Sequence, residues 1–403
     1  MRRILVVLVI ACLLAGCICQ PSESPPGSEP LQSPESSQIT QPQELQEMEE
    51  SEDTLEAEDI RETEDTRESE DRIEPENIPA TEWKTSTPEE QGLNPDSLSE
   101  IYNYLEKDGR INSFLIVKNG YLVVEEYYNG YDKNSQHNTY SCTKSVMSAL
   151  IGIAIDNEHI KSVDENVLDF FPEYEFKYTD ERKKEITIEH LLTMTSGLRF
   201  GELQIPYTSE GNPFIQMINS EDWIQFVLDN PVIHTRGTTF DYSSGSSHVL
   251  SAILQKATGT DSLSYAVKYL FGPLGISEAD IFWEKDPQGI YVGGSWLHMR
   301  PRDMAKFGLL YLNKGKWNGN QIISRKWVEK STRSLVHVED YADYGYQWWV
   351  ESKTMYFAEG YRGQFICVLK DLNMVVVLTA DLPESDVSEV FSDLIGYIRA
   401  AGN

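Results

Sequence analysis

Segments with the composition of β-strands stand at both ends of the body of this chain, with helical segments between them. Near the start, Ser113–Lys118 and Tyr121–Tyr128 flank Asn119-Gly120, a dipeptide that strongly favours a hairpin. Near the end, four further segments have the composition of strands: Gly345–Glu351, Thr354–Glu359, Gln364–Lys370 and Asn373–Ala380. Strands so far apart in sequence are buried most simply in one antiparallel sheet. We therefore predict an α+β fold.

Helical patterns account for most of the remaining body. Asn94–Lys107 has apolar residues at helical spacing, and further helices are predicted over Cys142–Asn157 and Ser385–Ala400. The expected sheet is built from residues 83–158 and 335–403, and residues 159–334 form an inserted, mainly helical subdomain. The cleft between these two parts is the expected place for an active site.

The N-terminal residues have the character of an export signal. Two arginines precede Ile4–Gly16, an almost unbroken apolar run that is short for a bilayer crossing. The run ends in Leu14-Ala15-Gly16-Cys17, which resembles the lipobox of exported lipoproteins, where the cysteine carries lipid. Residues 1–17 are predicted to be a signal peptide with Cys17 as the lipidation site. A plain signal peptide and an uncleaved anchor are the alternatives, and all three place the protein outside the cytoplasm.

The negative charge of the chain is unevenly distributed. The formal net charge is −31, and more than half of it lies between Pro21 and Glu82, where large apolar residues are nearly absent. Residues 18–82 are therefore predicted to be a disordered, extended acidic linker. A chain with this much negative charge repels phosphate backbones, and no nucleic-acid partner is therefore expected. The membrane is expected as a partner only through the N-terminal anchor. Only Cys142 and Cys367 remain in the body, and a disulfide between them stays open.

The strongest chemical signal is Ser141-Cys142-Thr143-Lys144, which opens the helix predicted after the hairpin. An i, i+3 spacing places Ser141 and Lys144 on one helical face, so the ammonium can contact the hydroxyl. Burial would lower the pKa of the lysine and allow it to accept the serine proton. The helix N-terminus also favours negative charge that develops near Ser141. The pair therefore indicates a nucleophile and its base.

Two later segments carry chemistry that fits this pair. Tyr242-Ser243-Ser244 places a phenol close to a hydroxyl, and a nearby ammonium would lower the pKa of the phenol and let it relay protons. Its alternative is a core tyrosine followed by a capping serine. Gly360–Gln364 enters an apolar strand, and glycines there allow close backbone approach to a ligand. Its alternative is a simple glycine-rich bend.

In this order, the segments resemble the serine β-lactamase and penicillin-binding-protein superfamily. The most similar branch is the class C β-lactamase-related esterases and amidases, which includes 6-aminohexanoate-dimer hydrolase. The resemblance covers roughly residues 87–400, and further matching segments are Ile186–Leu198, Gly237–Phe240, Phe271–Ile276, Gly293–Ser295, Asp303–Gly308 and Tyr344–Trp349. It implies a β-lactamase/transpeptidase-like fold and catalysis by a serine.

The resemblance also implies a role for each matching residue. Ser141 matches the acylated nucleophile, Lys144 its base, and Tyr242 the tyrosine that moves protons to the leaving group. The N–H groups of Ser141 and Tyr361 are then expected to form the oxyanion hole. The remaining residues expected to contact substrate are Ser244, Arg362, Gly363 and Gln364. No metal ion and no organic cofactor is implied.

The chain departs from the antibiotic-hydrolysing members in two places. Ser244 stands where class C β-lactamases carry asparagine, and no Lys-Thr-Gly precedes the last strands, where Glu359 and Gly360–Gln364 stand instead. In the family, the missing lysine holds a substrate carboxylate, and Arg362 is a candidate replacement. We therefore expect an exported serine hydrolase that acts on a small ester or linear amide. A penicillin-binding sensor, a D,D-peptidase or a β-lactamase that acts on cell-wall-like or β-lactam substrates is the alternative.

Other reactive side chains have structural interpretations. His248 is expected to pack on the same helix as Tyr242, and His190 lies within the matching segment Ile186–Leu198. Trp348 and Trp349 belong either to the core or to an acyl pocket.

Overall fold

Strands from both ends of the body pair into one antiparallel sheet, as the sequence predicts. The computed structural model describes residues 83–177 and 179–402. The strands of the main sheet are β1 (Ile111–Lys118), β2 (Tyr121–Tyr127), β8 (Asp343–Tyr344), β9 (Trp349–Val350), β10 (Met355–Gly360), β11 (Gln364–Leu369) and β12 (Met374–Ala380). Their order is β2-β1-β12-β11-β10-β9-β8. β1 and β12 lie side by side, with Phe114 opposite Leu378, so the two ends of the body are joined within the sheet.

One face of the sheet is covered by the first and last helices, α1 (Pro95–Asp108) and α10 (Val387–Gly402). Asn94 caps α1, because its side chain accepts hydrogen bonds from the N–H groups of Asp96 and Ser97. Leu98 and Ile101 of α1 are buried in the same cluster as Leu394 of α10. These helices leave the opposite face of the sheet free for the helix that carries the nucleophile.

That opposite face packs against α2 (Cys142–Asp156) and α8 (Pro301–Leu312). α2 is apolar on all sides and buried from Cys142 to Ala154, which is typical of a helix enclosed between two layers. One side of α2 contacts β10 and β11, and another contacts the inserted region through α6 (Ser244–Thr258). The first turn of α2 therefore lies where the sheet and the insertion meet.

The inserted region is mainly helical. Its remaining α-helices are α3 (Ile188–Leu192), α4 (Pro213–Ile218), α5 (Trp223–Asp229), α7 (Ser262–Ala266) and α9 (Arg325–Ser331). Short strands also occur. β4 (Phe282–Trp283) and, from before the inserted region, β3 (His137–Asn138) both pair with β5 (Leu297–Met299), and β6 (Lys316–Trp317) pairs with β7 (Asn320–Gln321). Because β3 precedes α2 directly, the first of these sheets helps to set the start of that helix.

Two predicted elements differ from the observed ones. The strand expected over Gly345–Glu351 is reduced to β9, because Gln347 has φ 61° and Gly345 donates to the carbonyl of Trp348, which closes a turn. The expectation that Tyr242 shares the helix of His248 is wrong. Ser243 has extended φ −145° and caps α6 by accepting from the N–H of Ser246, so Tyr242 precedes the helix.

The predicted signal peptide, Cys17 and the linker 18–82 lie outside the described residues. Within the described part, no helix combines the length and apolarity needed to span a bilayer. Cys142 and Cys367 are both buried free thiols, so they form no disulfide.

Candidate active site

Ser141 is the N-cap residue of α2 and is partly exposed. A tight bend precedes it, in which Tyr140 has φ 44° and donates its N–H to the Oδ1 atom of Asn138 at 2.9 Å. A positive φ is uncommon for a bulky residue and is held here by the surrounding structure. The bend therefore presents the Ser141 hydroxyl at the positive end of the α2 dipole.

Lys144 lies one helical turn after Ser141 and is 1% exposed. Its Nζ atom donates to Oγ of Ser141 at 2.9 Å, Oγ of Ser244 at 2.9 Å and the carbonyl oxygen of Gly294 at 2.7 Å. These three acceptors equal in number the three N–H donors of one ammonium group. Burial lowers the pKa of Lys144 to about 8, and the carboxylate of Glu202 opposes this shift. Lys144 can therefore exist as a neutral amine near neutral pH.

Gly294 contributes its carbonyl because it has no side chain. A Cβ atom there would stand 2.8 Å from the main-chain oxygen of Ser244 and 3.0 Å from its Cβ atom. The close approach brings the carbonyl of Gly294 within reach of Lys144. Gly294 lies within the matching segment Gly293–Ser295, but nothing in the sequence indicates that its carbonyl binds Lys144.

Tyr242 lies beside this pair and is 7% exposed. Its ring centroid lies 4.8 Å from Nζ of Lys144, and the nearby side chain of Ser141 acts to lower the pKa of the phenol. The expectation that the ammonium lowers the pKa of Tyr242 is wrong. Burial raises that pKa well above its usual value, and the carboxylate of Glu202 adds to the rise. Tyr242 is therefore a neutral phenol that keeps its proton.

A buried carboxylate, Glu202, organises the floor of the site and is 1% exposed. Its oxygens accept from the N–H of Ser244 at 2.5 Å, from Oγ of Ser244 at 2.7 Å and from the hydroxyl of Tyr207 at 2.7 Å. Ser244 begins α6, so Glu202 also sits at a helix N-terminus, where negative charge is favoured. No local pattern in the sequence marks Glu202 or Tyr207, because only the tertiary fold brings them to Ser244.

The third predicted segment lies against the bend before Ser141. β10 ends at Gly360, and a Cβ atom there would stand 2.2 Å from the carbonyl oxygen of Thr139. The ring of Tyr361 lies 5.6 Å from that of Tyr140. Across the residues that the structure describes, the N–H groups of Ser141 and Tyr361 donate no hydrogen bond, so both are available to an oxyanion.

Comparison with known proteins decides the family. The family model described as Beta-lactamase matches residues 109–393. The chain belongs to the beta-lactamase family. A curated relative, 6-aminohexanoate-dimer hydrolase of Paenarthrobacter ureafaciens, is 22% identical over 326 residues, which cover 75% of this chain and 81% of the relative. By this membership the protein is a serine hydrolase of the β-lactamase and penicillin-binding-protein superfamily.

Solved structures share the beta-lactamase fold with this chain. A penicillin binding protein from Bacillus halodurans has a TM-score of 0.59 at 17% identity, with 73% of this chain and 99% of that chain covered. EstCE1, described as a hydrolase with promiscuous acyltransferase activity, has a TM-score of 0.62 at 16% identity, with 76% of this chain and 98% of that chain covered. At these identities the likeness concerns the fold.

The remaining residues predicted to contact substrate, Arg362, Gly363 and Gln364, lie in or directly after the turn that follows β10 and make contacts within the chain. The guanidinium of Arg362 pairs with Asp381, with 2.6 Å between Nε and Oδ1, and so is directed to a carboxylate of the chain itself. Gln364 is buried, and its Nε2 atom donates to the carbonyl of Ala380 at 2.7 Å. Gly363 lies in the same turn with φ 90°. Of the predicted contact residues, the structure thus brings Ser244 to Lys144 and places Tyr361 beside Tyr140.

The other reactive side chains have structural surroundings. His248 is fully buried and pairs with Asp286 at 2.8 Å, and His190 forms a capping box with Thr187. Trp348 lies in the core of this family fold, whereas Trp349 stacks on Tyr242 at 5.9 Å. Within the described ranges, no group of three or more His, Cys, Asp and Glu residues is placed to hold a metal ion.

Proposed function

We propose that this protein is an exported serine hydrolase that cleaves a small ester or linear amide through an acyl-enzyme on Ser141. The observation that carries the proposal is the 2.9 Å contact between Oγ of Ser141 and Nζ of Lys144, a buried lysine whose pKa is lowered to about 8. A hydroxyl at a helix N-terminus that contacts an unprotonated amine is an activated nucleophile.

In the acylation step, neutral Lys144 accepts the proton of the Ser141 hydroxyl as Oγ attacks the substrate carbonyl carbon. The negative charge moves to the carbonyl oxygen, where the N–H groups of Ser141 and Tyr361 stabilise it. When the tetrahedral intermediate collapses, the leaving group takes a proton from the phenol of Tyr242. Because a phenolate at Tyr242 is disfavoured by burial, we expect Lys144 to return its proton to Tyr242 in the same event.

In the deacylation step, a water molecule occupies the position that the leaving group vacated beside Tyr242. Its proton follows the path through Tyr242 to Lys144 while its oxygen attacks the acyl carbon. Collapse of this second intermediate breaks the bond to Oγ, and Lys144 returns a proton to Ser141. The acid product leaves and the starting state is restored, so one ammonium and one phenol serve both steps.

The charges around the site favour substrates that lack the carboxylate by which β-lactams bind to Lys-Thr-Gly. No Lys-Thr-Gly precedes the turn, and the candidate replacement Arg362 pairs with Asp381. The relatives named as a 6-aminohexanoate-dimer hydrolase and as a hydrolase with acyltransferase activity fit the same preference. We therefore propose esters and linear amides as the substrate class.

The experiment is hydrolysis of p-nitrophenyl acetate by the full chain and two serine variants. Ser141→Ala is expected to reduce kcat/KM by at least about 10³-fold, because the nucleophile is lost. Ser145→Ala is the matched control, since Ser145 is buried on the same helix and donates to the carbonyl of Gln347. Ser141→Ala with wild-type turnover would contradict the proposal, and an adduct that never hydrolyses would favour a penicillin-binding sensor.

We also propose that the protein is a lipoprotein attached to the outer side of a membrane through Cys17. The support is the apolar run that ends in Leu14-Ala15-Gly16-Cys17. Cys17→Ser is expected to move the protein from the membrane fraction to the soluble fraction, or to leave the signal uncleaved. The neighbouring variant Cys19→Ser serves as the control and is expected to fractionate like the wild type.

A further inference from the structure

The strand that ends beside the nucleophile carries a carboxylate, Glu359, one residue before Gly360. Glu359 is half-buried, and its Oε2 atom accepts a hydrogen bond from the hydroxyl of Tyr341 at 2.5 Å. Among the described residues, no lysine, arginine or histidine forms an ion pair with it. The nearest cation in sequence, Arg362, is paired with Asp381. Glu359 is therefore a negative charge that the chain itself does not balance.

A continuous set of aromatic rings connects Glu359 with Tyr242. We call this set the aromatic wall, and it consists of Phe240, Tyr242, Tyr341, Tyr344 and Trp349. Tyr341 meets Trp349 edge-on at 4.8 Å, and Trp349 stacks on Tyr242 at 5.9 Å with 11° between the planes. Since Tyr242 gives its proton to the leaving group in the proposed mechanism, the wall begins on the leaving-group side of Ser141 and ends at Tyr341, which contacts Glu359.

The chemistry of this flank favours a positive charge. The exposed ring of Tyr341 can attract a cation through its face, and a partly desolvated carboxylate attracts a cation more strongly than a carboxylate in water. An anionic group would meet Glu359 without any neighbouring cation to offset the repulsion. The segment that carries Lys-Thr-Gly in the antibiotic-hydrolysing relatives thus carries a carboxylate and no lysine in this chain.

We propose that Glu359 and the aromatic wall form a subsite for a cationic group, such as an ammonium, on the leaving-group part of the substrate. This inference rests on the proposed ester and amide hydrolysis at Ser141, and it narrows the substrate class to cationic alcohol, thiol or amine leaving groups.

The pKa of Glu359 is consistent with a carboxylate whose counter-charge is supplied by the substrate. Partial burial raises the pKa of Glu359 to about 7, while the hydrogen bond from Tyr341 limits the rise. A bound cation would favour the ionised carboxylate again, so occupancy of the subsite and ionisation of Glu359 support each other.

The test compares two thioesters of equal shape, acetylthiocholine and S-(3,3-dimethylbutyl) thioacetate, which differ by a quaternary nitrogen in place of a carbon. Release of the thiol is followed with a chromogenic disulfide at about pH 8, where Glu359 is ionised. The full chain is expected to show a kcat/KM at least about tenfold higher for the cationic thioester, the size of effect that a desolvated cation–π contact and a nearby carboxylate supply.

Variants locate the effect. Glu359→Gln keeps the shape of the side chain and is expected to reduce the preference for the cation to less than about threefold. Glu351→Gln is the matched control, because Glu351 is an exposed carboxylate just after β9, and it is expected to retain the wild-type preference. An unchanged preference in Glu359→Gln would overturn the assignment to Glu359.

The failure of this inference is distinguishable from the failure of the proposed function. If the wild type hydrolyses p-nitrophenyl acetate through Ser141 but does not prefer the cationic thioester, or cleaves neither thioester, the subsite is refuted and the hydrolase stands. If no ester is turned over and Ser141 is not acylated, the proposed function fails, and the inference fails with it.

Discussion

Gly360 lies so close to Thr139 that a Cβ atom on the glycine would stand 2.2 Å from the carbonyl oxygen of the threonine. This contact joins the end of β10 to the bend before α2. It brings the N–H of Tyr361, the first residue after the strand, next to the bend that ends at Ser141. The two donors proposed for the oxyanion hole come from opposite ends of the described chain, so their distance depends on this one close approach.

Replacing Gly360 with alanine is therefore expected to disrupt the oxyanion hole. The added methyl group must push β10 away from Thr139, and loss of one oxyanion donor costs about 10²- to 10³-fold in kcat. The measurement is kcat for p-nitrophenyl acetate together with the melting temperature. Gly396→Ala in α10 is the control, because a Cβ atom there meets nothing within 4 Å. Wild-type kcat in a folded Gly360→Ala variant would contradict this account of the hole.

Lys144→Ala is expected to reduce kcat/KM by about 10³-fold or more, because Ser141 loses its proton acceptor. The variant also leaves the carbonyl of Gly294 without its donor, so some loss of stability accompanies the loss of rate. Lys183→Ala is the matched control, since Lys183 is a buried lysine that donates to the carbonyl of Leu228. A Lys144→Ala enzyme that is folded and nearly as active as the wild type would refute the base assignment.

The pH dependence of kcat/KM is expected to follow Lys144. Burial lowers its pKa to about 8, and only the neutral amine can accept the serine proton. As the pH rises through this pKa, the neutral fraction and the rate rise, and well below it the rate falls about tenfold per pH unit. Tyr242 keeps its proton over this range because burial raises its pKa. A rate that is independent of pH between about 6 and 9 would argue against a lysine base.

Glu202→Gln is expected to shift this pH profile towards lower pH. The carboxylate of Glu202 raises the pKa of Lys144, so its removal leaves desolvation less opposed and lowers that pKa further. The amide oxygen of glutamine can still accept one hydrogen bond from Ser244, which limits the structural disturbance. Asp303→Asn, at a buried carboxylate paired with Arg300, is the control and should leave the profile in place. A pH profile of Glu202→Gln that matches that of the wild type would contradict the claim that the charge of Glu202 raises the pKa of Lys144.

The fold was largely predictable because its signals are local. The hairpin at Asn119-Gly120 and the final strands had the composition of their observed structures, and β1 and β12 pair as expected from strands at both ends. Boundaries that depend on single dihedral angles were not predictable. The turn at Gln347 shortened one strand, and the cap at Ser243 placed Tyr242 outside α6.

Local spacing alone predicted the candidate site only where two residues share one helical turn, whereas the family resemblance indicated Tyr242 and Ser244. The spacing of Ser141 and Lys144 gave their contact directly. Glu202 reaches Ser244 across 42 residues of sequence, and the aromatic wall combines rings from β8 and β9 with rings from before α6 and β8, so no local pattern marks them. The pKa of Tyr242 was predicted in the wrong direction, because the sequence showed the neighbouring ammonium but not the depth of burial.

The most direct test of the central claim is to locate the acyl group on the full chain. The protein is mixed with p-nitrophenyl acetate, quenched in acid within the first turnovers, digested and analysed by mass spectrometry. We predict one acetyl group on the peptide that contains Ser141, formed in the wild type and absent in Ser141→Ala, and lost when the wild type is left to turn over before the quench. Acetylation of another residue, or p-nitrophenol release that proceeds equally well in Ser141→Ala, would contradict the claim that this serine carries the reaction.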